Sequence, residues 1–86
     1  MSARAQVREF VENLLRDKSD VQPFTDSDSL IFSGRLQSID AVEIVVFLEE
    51  GFGIDFAEIG FDEQMLDSVN AICALIGTSG KLPIAI

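Results

Sequence analysis

The run Ser33-Gly34-Arg35-Leu36-Gln37-Ser38-Ile39-Asp40-Ala41-Val42-Glu43-Ile44-Val45-Val46-Phe47-Leu48-Glu49-Glu50-Gly51-Phe52-Gly53-Ile54 decides how this chain folds. Gly34 closes a polar stretch. Ser38 is placed to cap a helix, because its hydroxyl can accept from the free N–H groups of a first turn. Asp40 falls in that turn, where negative charge suits the positive end of the helix dipole. Gly51-Phe52-Gly53 supplies the stop, with a glycine free to take a left-handed cap. The run therefore predicts a helix over 38–51. Wound at about 100° per residue, Ala41, Val42, Val45, Leu48 and Phe52 gather on a core face, and Asp40, Glu43 and Glu50 fall on one side away from it. Ile39, Val46 and Phe47 fall among the acids. An apolar strip rimmed by carboxylates suits a helix that meets a partner.

On the N-terminal side, residues 2–16 show a helical period in Val7, Phe10, Val11, Leu14 and Leu15, with Ser2 as cap. Residues 17–37 read as a long loop rich in Asp, Ser, Pro and Gly. Val21, Phe24, Leu30, Ile31, Phe32 and Leu36 interrupt its polar run, and several of them are expected to act as pegs that pin it over a helical core. On the C-terminal side, residues 54–66 are short and irregular, with one helical turn expected around 62–66. Residues 67–76 form a last helix with Val69, Ile72, Cys73, Leu75 and Ile76 inward, Asp67 or Ser68 as cap and Gly77 as stop. The expected fold is all-α: a small bundle of three principal helices plus one short helix, with a long loop between the first two. Residues 1–77 make the domain, and 78–86 form a tail that packs back on it or frays.

Eighty-six residues allow one core. The chain carries 15 Asp and Glu against 6 Lys and Arg, and none of those cations lies between Leu36 and Gly80. Such a balance argues against nucleic acid and against an anionic membrane surface, both of which require clustered Lys and Arg. Partners are expected to present basic patches. With no His and one Cys, the chain has neither a disulfide nor a Cys/His zinc site nor a His-based catalytic dyad. No stretch approaches 18 apolar residues, and the first residues lack a hydrophobic signal region, so a cytoplasmic monomer is expected. Asp26-Ser27-Asp28 begins like a calcium loop, but Leu30, Ile31 and Gln37 stand where such a loop needs a ligand, a glycine and a Glu. Cys73 lies among apolar residues of the last helix, as a small buried hydrophobe does.

From Gly34 through Leu36, Gln37-Ser38-Ile39, Asp40, Val42-Glu43, Leu48-Glu49-Glu50 and Phe52-Gly53-Ile54, the chain resembles the acyl carrier protein family. Asp67-Ser68-Val69 with Ile72 is similar to the start of that family's last helix. The resemblance spans most of the chain, to about Ile76. It implies that Ser38 is esterified by 4'-phosphopantetheine from coenzyme A, delivered by a phosphopantetheinyl transferase. The arm's thiol would then hold acyl groups as thioesters and pass them to partner enzymes with basic docking patches. It also implies that Ile39, Asp40, Val42, Glu43, Val46, Glu49 and Glu50 form the recognition face, and that the protein is not itself an enzyme. Where the family has Asp before the serine this chain has Gln37, which points to a specialised member, and the acidic second helix points to a freestanding one. Two other serines invite the same reading. Ser29, in Asp28-Ser29-Leu30, has no helix behind it, and Ser68 begins a helix without an acidic face, so Ser38 is preferred. The alternative is an acidic interaction module that keeps the carrier fold without the arm.

Overall fold

The computed structural model describes residues 2–60 and 62–79, the side chains at 78 and 79 aside. Four α-helices and one 3₁₀ turn follow in order: α1 (Ala3–Asp17), α2 (Ser38–Phe52), α3 (Phe56–Ile59), the 3₁₀ turn (Glu63–Leu66) and α4 (Val69–Ser79). The protein is a small all-α bundle, as the periodicity requires.

α1 starts where Ser2 Oγ accepts the Ala5 N–H, and buries Val7, Val11, Leu14 and Leu15. It ends in a Schellman arrangement: Ser19 N–H donates to Arg16 O and Asp20 N–H to Leu15 O, with Ser19 in the left-handed region at φ 64°. α2 buries Ala41, Ile44, Leu48 and Phe52 and stops at Gly53, whose φ of 69° a glycine adopts without strain. α4 contributes Val69, Ile72, Leu75 and Ile76 to the same core. α1 packs on α4, and the 3₁₀ turn bridges α4 and α2, its Leu66 fully buried. Each such leucine, taken from water, contributes about 1.5–3 kcal/mol before chain entropy is counted.

The long loop is held at several points. Phe24, Leu30 and Leu36 are buried pegs and Ile31 is half-buried, whereas Val21 and Phe32 are exposed. Asp26 accepts from Arg4 and Arg8 of α1, each at 2.6 Å. Arg35 makes a two-pronged pair with Asp20 at 3.0 Å and donates to Gln22 O. Asp67, just ahead of α4, accepts the N–H groups of Ile31 and Phe32 on its carboxylate and that of Leu30 on its carbonyl. A connection of this length is stable inside a compact domain because charge-assisted bonds and apolar pegs fix both its sides.

Four expectations need correction. The segment after α2 holds two short elements rather than one: Asp55 accepts the N–H groups of Ala57 and Glu58 and so starts α3. Gly77 does not stop α4, which runs through it to Ser79; a glycine inside a helix costs only about 1 kcal/mol. The start of α2 is also different, since Gln37 is the capping residue and Ser38 the first helical one. Val42 faces outward rather than into the core, its inward place being taken by Ile44. The expected packing of the tail falls, from Gly80 on, outside the described residues.

Candidate functional site

The start of α2 owes its geometry to Asp40. Its Oδ2 accepts the Gln37 N–H at 2.8 Å, and Lys18 Nζ, at the end of α1, lies 2.8 Å from the same oxygen. Asp40 is only 4% exposed. Its expected place on the recognition face is therefore corrected: the carboxylate turns inward and ties α2 to α1. Because Gln37 is the capping residue, the Ser38 hydroxyl is not used as a cap. The Ser38 side chain lies on the surface, and its hydroxyl donates to Glu63 Oε2 of the 3₁₀ turn at 3.1 Å. The N–H groups of Asp40 and Ala41 are satisfied by Gln37 O, whereas those of Ser38 and Ile39 have no partner among the described residues. An exposed hydroxyl beside open N–H groups at the positive end of a 15-residue helix is chemically suited to carrying a phosphodiester. The residues present thus fit the prosthetic group that the resemblance implies. Among the described residues, the one opposing charge in contact with the hydroxyl is Glu63.

Down the outer side of α2, Ile39, Val42 and Val46 are 66%, 55% and 43% exposed. Their spacing of three and four residues aligns them on one face. Glu43, Glu49 and Glu50 are exposed, and none of them forms an ion pair among the described residues. Phe47, expected in the same strip, is instead covered: Phe10 of α1 stacks on it at 4.3 Å between ring centroids, and Phe52 meets it edge-on at 5.7 Å. The two rings form the floor of a groove of about 360 Å³ between α1 and α2, walled by Val42, Glu43, Val46 and Glu50. The structure thus brings together Ser38, Ile39, Val42, Glu43, Val46, Glu49 and Glu50 along one helix and sets Asp40 apart from them. It adds Phe10, whose place at the edge of the α1 stripe was a usable signal, and Glu63, whose approach across 25 residues of chain carried none.

The charge is divided in the same way. Of the described cations, Arg4, Arg8, Lys18 and Arg35 are engaged by Asp26, Asp40 and Asp20, and Arg16 donates to Asn13. Hydrogen bonds from Arg8 and Arg4 hold the Asp26 carboxyl below its ordinary range, and those from Arg35 and the Gln22 N–H do the same for Asp20. At Asp67 burial pushes the carboxyl up, but donors from Phe32, Ser29, Ile31 and Leu30 outweigh it, and the net direction is down. Ser68 Oγ accepts the Ala71 N–H as the α4 cap, and Ser29 lies in the long loop ahead of no helix, so neither competing serine stands at the head of an exposed acidic helix face as Ser38 does. Burial raises the Cys73 thiol, the opposite of activation.

Fold and site together define a class: a small all-α bundle whose acidic second helix presents an exposed serine at its start. Comparison with known proteins adds no closer identification, for no protein-family model, no curated protein and no solved structure matches the chain. Among the described residues no helix is long and apolar enough to cross a membrane.

Proposed function

We propose that the protein is a freestanding acyl carrier, holding acyl intermediates as thioesters on a 4'-phosphopantetheine arm at Ser38 and presenting them to enzymes with basic docking patches. The observation that carries the reading is the placement of Ser38: exposed, not used as a helix cap, and at the head of the face formed by Ile39, Val42, Glu43, Val46, Glu49 and Glu50. The arm would bring a mobile, solvent-reaching thiol, which Cys73, half-buried in α4, does not offer. The protein's own part is to offer the hydroxyl, to place open N–H groups beside the new phosphodiester, and to steer partners by charge. A carrier must leave each partner quickly, and steering by exposed charge speeds encounter without a large adhesive contact.

The test is incubation with a broad-specificity phosphopantetheinyl transferase and coenzyme A, read by intact-protein mass. One arm's mass is gained by the wild-type chain and none by Ser38→Ala. An unchanged wild-type mass, under conditions that modify a control carrier, refutes the reading. Salt-sensitive binding to a basic partner by such an unmodified chain would then favour the armless interaction module.

A further inference from the structure

We propose that Glu63 is the general base for the modification of Ser38, a carboxylate that the carrier itself supplies to take the serine proton. The inference rests on the carrier reading above and assigns a residue that this reading does not use. A serine hydroxyl is a weak nucleophile until a neighbouring base draws its proton away. Such a base must lie within hydrogen-bond reach of that proton. Glu63 Oε2 accepts from Ser38 Oγ at 3.1 Å, so the proton that must leave already points at a carboxylate.

The other carboxylate at this helix start is not available, since Asp40 is committed to the Gln37 N–H and Lys18. Glu63, by contrast, has no cation on it among the described residues. Its backbone is anchored on both sides. Asp62 caps the turn through the Gln64 N–H, and two residues beyond it Leu66 is fully buried. The side chain is therefore delivered to Ser38 from a fixed turn, and both groups lie where a transferase can reach them.

The step balances as follows. Ser38 Oγ forms a bond to the phosphorus of coenzyme A that bears the pantetheine. The bond from that phosphorus to the pyrophosphate bridging oxygen breaks, and its electron pair leaves with the 3',5'-bisphosphorylated adenosine. The Ser38 proton passes to Glu63 Oε2. This transfer neutralises Glu63 as a negatively charged phosphodiester is made beside it, so the base removes its own repulsion when it acts. The open N–H groups of Ser38 and Ile39 stand at the same helix start.

The experiment compares initial rates of mass gain for wild type, Glu63→Gln, Glu63→Asp and Glu58→Gln with one transferase and coenzyme A, after thermal melts show each variant folded. Loss of a general base lowers a rate by about 10²–10⁴-fold. The expected result is a kcat for Glu63→Gln about a hundredfold below wild type at a KM within threefold. Glu63→Asp recovers part of the rate. Glu58→Gln, which removes one exposed acidic charge from α3 and has no bond to Ser38, runs at the wild-type rate. Equal rates for Glu63→Gln and wild type overturn the proposal while the carrier reading stands. So does a loss confined to KM, which marks docking, or a faster Glu63→Gln, which marks a repelling charge. A wild-type chain that gains no mass beside a modified control overturns the carrier reading and this inference with it.

Discussion

Replacing Asp40 by Ala separates a structural carboxylate from a recognition carboxylate. Two interactions vanish in the variant. The bond from the Gln37 N–H is charge-assisted and part-buried, with the Asp40 carboxylate itself shielded from water, and its loss costs about 1.5–2 kcal/mol. The ion pair to Lys18 is worth less, about 0.5–1 kcal/mol, because the lysine side chain is 29% exposed and regains water once its partner has gone. Together they give about 2–3 kcal/mol, or a fall of about 10–20 °C in Tm for a domain of this size. Urea unfolding followed by far-UV circular dichroism should show the midpoint moving at an unchanged m value. A double-mutant cycle with Lys18→Met should return a coupling of about 1 kcal/mol. In Asp40→Asn the amide oxygen can still accept from Gln37, and only about half of the loss is expected. A cost below about 0.5 kcal/mol for Asp40→Ala, the range of an ordinary surface substitution, would refute the reasoning and return Asp40 to the recognition face.

Two further outcomes follow from the same geometry. Ser19 carries a side chain at φ 64° in the Schellman turn, so Ser19→Gly should stabilise the fold by about 0.5–1 kcal/mol and raise Tm by several degrees. Asp20, Asp26, Asp28 and Asp67 are all held below the ordinary carboxyl value of 3.8, so their contribution is complete above that value and is lost as pH falls through their lower folded values. Tm should hold steady from about pH 7 to pH 5 and fall below about pH 4, less steeply in Asp67→Asn, whose residue 67 no longer titrates.

Much of this molecule is legible in its residues. The period in Val7, Val11, Leu14 and Leu15 gives α1, and Val69, Ile72, Leu75 and Ile76 give α4, because in each the apolar residues fill one arc. Phe24 and Leu36 are recognisable as pegs because they stand alone among polar and breaker residues, whereas Leu30 opens the apolar triplet Leu30-Ile31-Phe32, whose buried member the sequence does not single out. α2 is harder. Apolar residues occupy positions 39, 41, 42 and 44–48, almost around the helix, so the wheel has no sharp phase and Val42 and Ile44 exchange roles. Phe47 is removed from the outer strip by Phe10, a stacking partner on another helix. The inward turn of Asp40 depends on where α1 ends and leaves Lys18, which is tertiary information. The position of Ser38 at the head of an acidic helix was readable; its contact with Glu63 was not, because the turn that carries Glu63 is placed by the burial of Leu66.

The two kinds of acid in this chain do different work, and the reason is side-chain length. Asp20, Asp26, Asp28, Asp40, Asp55, Asp62 and Asp67 all accept from backbone N–H groups or from cations that fasten the loop, the caps and the helix starts. A carboxylate one methylene from the backbone reaches neighbouring N–H groups, and these bonds fix it in place. The glutamates stand further out. Glu12 lies 3.9 Å from Arg8 and Glu63 receives Ser38, while Glu43, Glu49 and Glu50 meet no cation among the described residues. Most of the positive charge is consumed internally by aspartates, so the field that reaches solvent over α2 is uncompensated and borne by glutamates. At physiological salt it extends about 8 Å before screening, far enough to orient an approaching basic surface and weak enough to release it. The fold therefore depends little on Glu43 and Glu49: charge reversal there should leave Tm within a few degrees and change how fast a basic partner binds and how that rate responds to salt.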